Sequence, residues 1–177
     1  MIETAERLNN QAIILAADGS FTEAIACFAR ALTIEKDNAL LWFNLGITYR
    51  DAGKLKQAEE ALFKSYQISP EDTDTIEELA LVLYNQGKFD QAIEFCLAGL
   101  HIMPENSHLW NTHGVVLFNK EMYEEACISF ENAVIMNPYY YDALFNLRDT
   151  YHKLNNKAGE DECIQRMKAL KKSGEPL

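Results

Sequence analysis

Cations are scarce in this chain: 16 Lys and Arg stand against 27 Asp and Glu, a formal charge of −11 over 177 residues. Nucleic-acid binding draws on clustered basic side chains, so this balance argues against it. Long apolar runs are missing as well. An uninterrupted run such as Ala12–Ala17 has six residues, against the roughly 20 that a membrane-spanning helix needs. The opening stretch, MIETAERLNN, has no basic n-region, so no secretory signal is expected there. The four cysteines, Cys27, Cys96, Cys127 and Cys163, form no CxxC pair. Reduced, semi-buried thiols in a cytoplasmic protein are the expectation, rather than disulfides or metal ligands.

The usual signatures of chemistry are also absent. The chain has no GxxxxGK[ST], GxGxxG, HExxH or GxSxG. His101, His108 and His113 are close in sequence, but His108 and His113 are five residues apart and so fall on different faces of a helix. Adjacent carboxylates such as Glu59-Glu60, Glu77-Glu78 and Glu124-Glu125 do not face each other on a helix, so no acid–base pair follows. The expectation is a non-enzymatic protein without cofactor or metal.

What the chain does have is a period. Alanines recur at Ala24, Ala58, Ala92 and Ala126, glycines at Gly19, Gly53 and Gly87, and prolines at Pro70, Pro104 and Pro138, every step being 34 residues. Phe21, Leu55, Phe89 and Tyr123 hold the position two after the glycine. Three residue types keeping one period mark a repeat architecture. Inside each unit, apolar residues recur at three- and four-residue steps, as in Trp42, Leu45 and Tyr49, then Ala58, Leu62 and Tyr66. That spacing predicts two amphipathic helices of about fourteen residues, here A and B. The glycine between them suits a left-handed C-cap, and the proline stops helix B.

The consensus W-x2-L-G-x2-Y, A-x3-F, P resembles the tetratricopeptide repeat family. Its carriers are Trp42, Leu45, Gly46, Tyr49, Ala58 and Pro70, then Trp110, Gly114, Ala126, Phe130 and Pro138. Weaker copies run through Leu8, Leu15, Ala24 and Phe28, and through Leu79, Ala80, Leu83, Ala92 and Pro104. The expected organisation is one array over 1–170, with repeats at 5–38, 39–72, 73–106 and 107–140 and a degenerate capping repeat at 141–170. Residues 171–177 are expected to form a flexible tail. In the cap, Arg148 and Glu160 replace small residues and Asn155 replaces the turn glycine. The resemblance implies an all-α, right-handed α-solenoid superhelix of antiparallel helix pairs, with A helices lining its concave side.

It also implies which side chains would face a partner in that groove. These are Asn9 and Ile13 from the first repeat; Leu40, Phe43, Asn44, Ile47 and Arg50 from the second; Asp74, Glu77, Glu78, Leu81 and Tyr84 from the third; His108, Asn111, Val115 and Phe118 from the fourth; and Asn146 from the cap. Apolar groups and amides interleave there. Asparagine carries both a donor and an acceptor and can grip a peptide main chain. Co-chaperone members of the family clamp a C-terminal carboxylate with lysines, asparagines and an arginine. Here those positions hold Asn9, Ile13, Asn44, Asp74 and Glu78, so acids replace cations and a carboxylate is repelled.

The expected function is therefore a protein–protein interaction adaptor. It holds a partner's peptide segment, apolar with some basic residues, in the concave groove and is not of the carboxylate-clamp type. Alternatives are a self-associating structural scaffold, hence a possible homo-oligomer, or an accessory subunit of a larger complex. Neither nucleic acid nor membrane is an expected partner.

Overall fold

Helix starts fall on the sequence period. In the computed structural model, which describes residues 3–173, the A-type helices are α1 (Ala5–Ala17), α3 (Ala39–Asp51), α5 (Thr73–Asn85), α7 (Ser107–Asn119) and α9 (Tyr141–Lys153). Each is 13 residues long. The B-type helices are α2 (Phe21–Ile34), α4 (Leu55–Ile68), α6 (Phe89–Ile102), α8 (Tyr123–Met136) and α10 (Lys157–Ser173). No strand occurs among the described residues.

Local chemistry sets the boundaries. The side chains of Thr4, Asn38 and Asn106 accept hydrogen bonds from backbone N–H groups of the helices they precede, as N-caps do. Gly19, Gly53 and Gly87 close their A helices with φ of 77°, 72° and 75°, where a Cβ would be strained. The next two repeats use Glu121 (φ 62°) and Asn155 (φ 55°) at the same place. The Trp42 indole donates to the Lys36 carbonyl at 2.8 Å, and the Trp110 indole to the Pro104 carbonyl at 2.7 Å. The same bond thus pins the loop entering two different repeats.

Where the repeat pattern predicts one array over 1–170, contacts divide the chain into two compact units, Met1–Lys88 and Phe89–Leu177. The first unit's core gathers Leu8, Phe28, Leu32, Leu41 and Leu45 with the small residues Ala12, Ala31 and Ala61. The second gathers Leu117, Phe130, Val134, Leu144 and Leu147 with Cys127, Cys163 and Met167. Close approach depends on missing side chains. A Cβ added at Gly46 would lie 2.6 Å from Leu62, and one at Gly114 would lie 2.6 Å from the Phe130 ring.

One boundary of the sequence reading shifts, and so does the burial of the thiols. The second cap helix, expected to end at 170, continues to Ser173; the remaining tail positions, 174–177, lie outside the described residues. The thiols expected to be semi-buried are buried and free: Cys27, Cys96, Cys127 and Cys163.

Candidate functional site

In each unit the A helices touch one another and the B helices do not. Helix α3 meets both α1 and α5, and α7 meets α9; among the described residues α2 and α4 make no such contact, nor do α6 and α8 or α8 and α10. The A side of each unit is thus the side on which successive repeats converge.

Hydrogen bonds fix which residues face each other there. The Asn44 amide nitrogen donates to Asn9 Oδ1 at 2.9 Å, and the Asn146 amide nitrogen donates to Asn111 Oδ1 at 2.9 Å. The predicted amides therefore meet in pairs across neighbouring A helices. Each donor asparagine spends one N–H on its partner and keeps its own carbonyl oxygen and second N–H. One turn on stands a threonine that bonds the helix main chain: Thr48 Oγ1 donates to the main-chain carbonyl of Asn44 at 2.7 Å, and Thr150 Oγ1 to that of Asn146 at 2.8 Å.

Beside the first pair, Ile13 and Leu40 are 45% and 58% exposed, while Phe43 and Ile47 are half-buried. Large aliphatic side chains left in water at these positions contribute nothing to the core. Helix α5 adds Asp74, which is exposed, and Glu77, Glu78, Leu81 and Tyr84, which are half-buried. Arg50 forms ion pairs with both Glu78 and Asp51. Burial alone would lower the Arg50 pKa, but the hydrogen bonds and charges of Glu78 and Asp51 outweigh it and hold the guanidinium above its ordinary value. The acidic face read from the sequence is thus partly neutralised from within. Glu78 and Asp51 share a cation.

On the second unit, Phe145 is 42% exposed and carries the Arg148 guanidinium 4.0 Å above its ring. Arg148 also pairs with Asp149. His108 is exposed and lies 4.8 Å from the Tyr140 ring. Val115 and Phe118, predicted groove anchors, are half-buried and touch this unit's core, and Phe118 meets Tyr123 edge-on at 5.1 Å.

Several features were missed by sequence reasoning. Thr48 and Thr150 were unremarked, although the heptapeptides Phe43–Tyr49 (FNLGITY) and Phe145–Tyr151 (FNLRDTY) match at five of seven places. A self-comparison at three repeat lengths finds them. Away from the A face, a cleft of about 440 Å³ is floored by Trp42, Leu45 and Tyr49 and walled by Phe63 and Lys64. Phe63 gives little sequence signal because its repeat position holds Ala29, Leu97, Glu131 and Gln165 elsewhere.

Reactive groups are few. Burial, helped by Glu131, pushes the Cys127 thiol up to about 12, and burial raises Cys163 to about 11; both stay protonated at neutral pH. No cluster of His, Cys, Asp or Glu suited to a metal occurs among the described residues. None of the described helices is long and apolar enough to cross a membrane.

Helix pairs at a 34-residue period, with small residues at their crossings and a shared A face, define a repeat protein of the α-solenoid class. The chain belongs to the tetratricopeptide repeat family: two family models of that description match residues 3–71 and 50–114. Among curated proteins, a peroxisomal targeting signal receptor from Candida albicans is 34% identical over 58 residues, covering 33% of this chain and only 10% of the receptor. Among solved structures, a MamA chain from Desulfovibrio magneticus RS-1 superposes with a TM-score of 0.86 at 17% identity, over 99% of both chains. YrrB, described as a TPR protein with an unusual peptide-binding site, superposes with a TM-score of 0.72 at 20% identity, over 94% of this chain and 86% of YrrB. At those identities the likeness speaks for the fold.

Proposed function

We propose that this chain is a non-enzymatic adaptor whose A-helix face holds an extended peptide segment of a partner protein. One observation carries the reading: Ile13 and Leu40 stand 45% and 58% exposed beside an asparagine pair that retains free hydrogen-bonding capacity. An apolar side chain of the partner covers the aliphatics while its main chain meets the amides. Family membership, and the peptide-binding site named for YrrB, support an interaction module. Asp74 and Glu77 favour a segment with some basic residues. The positions that would clamp a terminal carboxylate hold Asn9, Ile13, Asn44, Asp74 and Glu78, so an internal segment suits the face better than an acidic C-terminus.

The test uses peptides selected from a phage-displayed random library on the full chain, with affinity read by fluorescence anisotropy. Leu40→Ala combined with Phe43→Ala weakens binding at least about tenfold, the size expected for losing an apolar anchor. Unchanged affinity refutes the reading.

A second reading, self-association, draws on other exposed residues in each unit. The last residue of four successive B helices is an exposed aliphatic or methionine: Ile34 (51%), Ile68 (38%), Ile102 (42%) and Met136 (44%). A mass that rises with concentration in light scattering supports it, and a strict monomer removes it.

A further inference from the structure

We infer that the outward face of α8 is an interface for a second copy of this chain, paired antiparallel about a two-fold axis. It gives the self-association reading above a definite surface, rests on that reading, and stands apart from the peptide-binding one.

Comparison of the repeats singles out this helix. Ile128, Ile135 and Tyr139 are 59%, 68% and 67% exposed. The same three places hold Glu94, His101 and Glu105 one repeat earlier, and Glu60, Gln67 and Glu71 two repeats earlier; the first repeat has Ala26, Thr33 and Asp37. Packing therefore asks for nothing large and apolar there. Ile128 and Ile135 are seven residues apart on α8 and share a face. Tyr139 follows on the next loop, its backbone N–H bonded to Asn137 Oδ1 at 3.2 Å. The acid between the isoleucines is turned inward, since Glu131 is half-buried and accepts from the Tyr151 hydroxyl at 2.7 Å. An apolar stripe left in water on one repeat alone marks an interaction surface.

Charge says what covers it. Glu121, Glu124 and Glu125, all exposed, stand at the N-terminal end of the stripe. Two cations at that end are engaged, Lys120 with Asp90 and Lys153 over the Tyr123 ring. At the C-terminal end the Arg166 guanidinium donates to the Pro138 carbonyl at 3.3 Å, and Lys171 lies over the Tyr141 ring. Glu162 is one turn before Arg166, and no acid follows as far as Ser173. Asp142 shares its face of α9 with Phe145 and Asn146, on the A side. A stripe acidic at one end and basic at the other repels a parallel copy and fits an antiparallel one. A two-fold axis midway between Ile128 and Ile135 sets each against the other in the second copy. The same axis brings Glu124 to the second copy's Tyr139, beside its Arg166. Such a contact is self-complementary, so every pair occurs twice.

The test is sedimentation of the full chain from about 1 μM to about 100 μM. Salt at about 0.15 M screens the −11 charge of each copy beyond about 8 Å. The native chain passes from monomer to dimer. Ile128→Glu and Ile135→Glu, shown by thermal melts to be folded, each raise the dissociation constant at least about tenfold, because each change enters the interface twice. Glu124→Arg and Arg166→Glu each weaken the dimer, and the two combined restore it, since the opposed charges are exchanged. Failure of that rescue overturns the antiparallel pairing. A dimer indifferent to both isoleucine changes overturns the α8 interface and leaves self-association through the B-helix ends. A strict monomer removes both and leaves the peptide reading untouched. Library-selected peptides that crosslink at position 135 of a monomeric chain put a partner's segment on the stripe and likewise overturn the inference.

Discussion

Glu121 holds a φ of 62° at a turn where the first three repeats use glycine. A side chain in that geometry costs roughly 1–2 kcal/mol, and a glycine there forfeits about 0.5–1 kcal/mol through its freer unfolded chain. Glu121→Gly should therefore raise the free energy of unfolding by about 1 kcal/mol in a urea titration; a loss contradicts this account of the turn. Gly114 makes the opposite case. Its α-position faces the Phe130 ring, 2.6 Å from where a Cβ would stand, and that ring is 1% exposed. Gly114→Ala should cost about 1–3 kcal/mol by the same titration, as overpacking does.

His113 takes the leucine position of its repeat on α7, half-buried, with Nδ1 2.9 Å from Ser129 Oγ. Burial lowers its pKa below 6.5. The folded state thus prefers the neutral ring. The associated stability is full above the unfolded pKa and lost as pH falls toward the folded one. Melting temperature should decline between about pH 7 and pH 5 in the native chain, and His113→Leu should flatten that decline. An identical decline in the variant contradicts it. The B helices make a matching statement about thiols. All four cysteines are buried and free, so an aromatic disulfide reagent should modify them only upon unfolding; rapid reaction of any thiol in the native chain contradicts their packing.

At this scale the sequence was informative for a definite physical reason. Helix registers were legible because glycine, alanine and proline each answer a backbone demand that returns every repeat. The period also placed Asn9, Asn44, Asn111 and Asn146 on A helices, where they meet in two pairs. Ion pairing was not: Arg50 reaches Glu78 across 28 residues, and no period encodes that partnership. Nor was the partial cover of Val115 and Phe118 by their unit's core, because a repeat position does not say how far a neighbouring helix will reach over it. Arg148 was read as a blemish in a small-residue position, whereas it lies on Phe145 as a cation over a ring.

For the whole molecule, each of the two units carries an asparagine pair across its A helices, while exposed aliphatic residues mark the ends of the B helices. The excess of acid, 27 against 16 basic residues, predicts association with basic peptides that weakens as salt is raised, because exposed charges are screened over about 8 Å at physiological ionic strength. The central claim is that the A face binds. A photo-reactive benzoylphenylalanine placed singly at Leu40 or Phe145, or at the B-helix residues Ile68 and Ile135, which are 38% and 68% exposed, irradiated with library-selected peptides and read by mass spectrometry, tests it most directly. The account predicts peptide adducts from Leu40 and Phe145 and none from Ile68 or Ile135; adducts confined to the latter two contradict it.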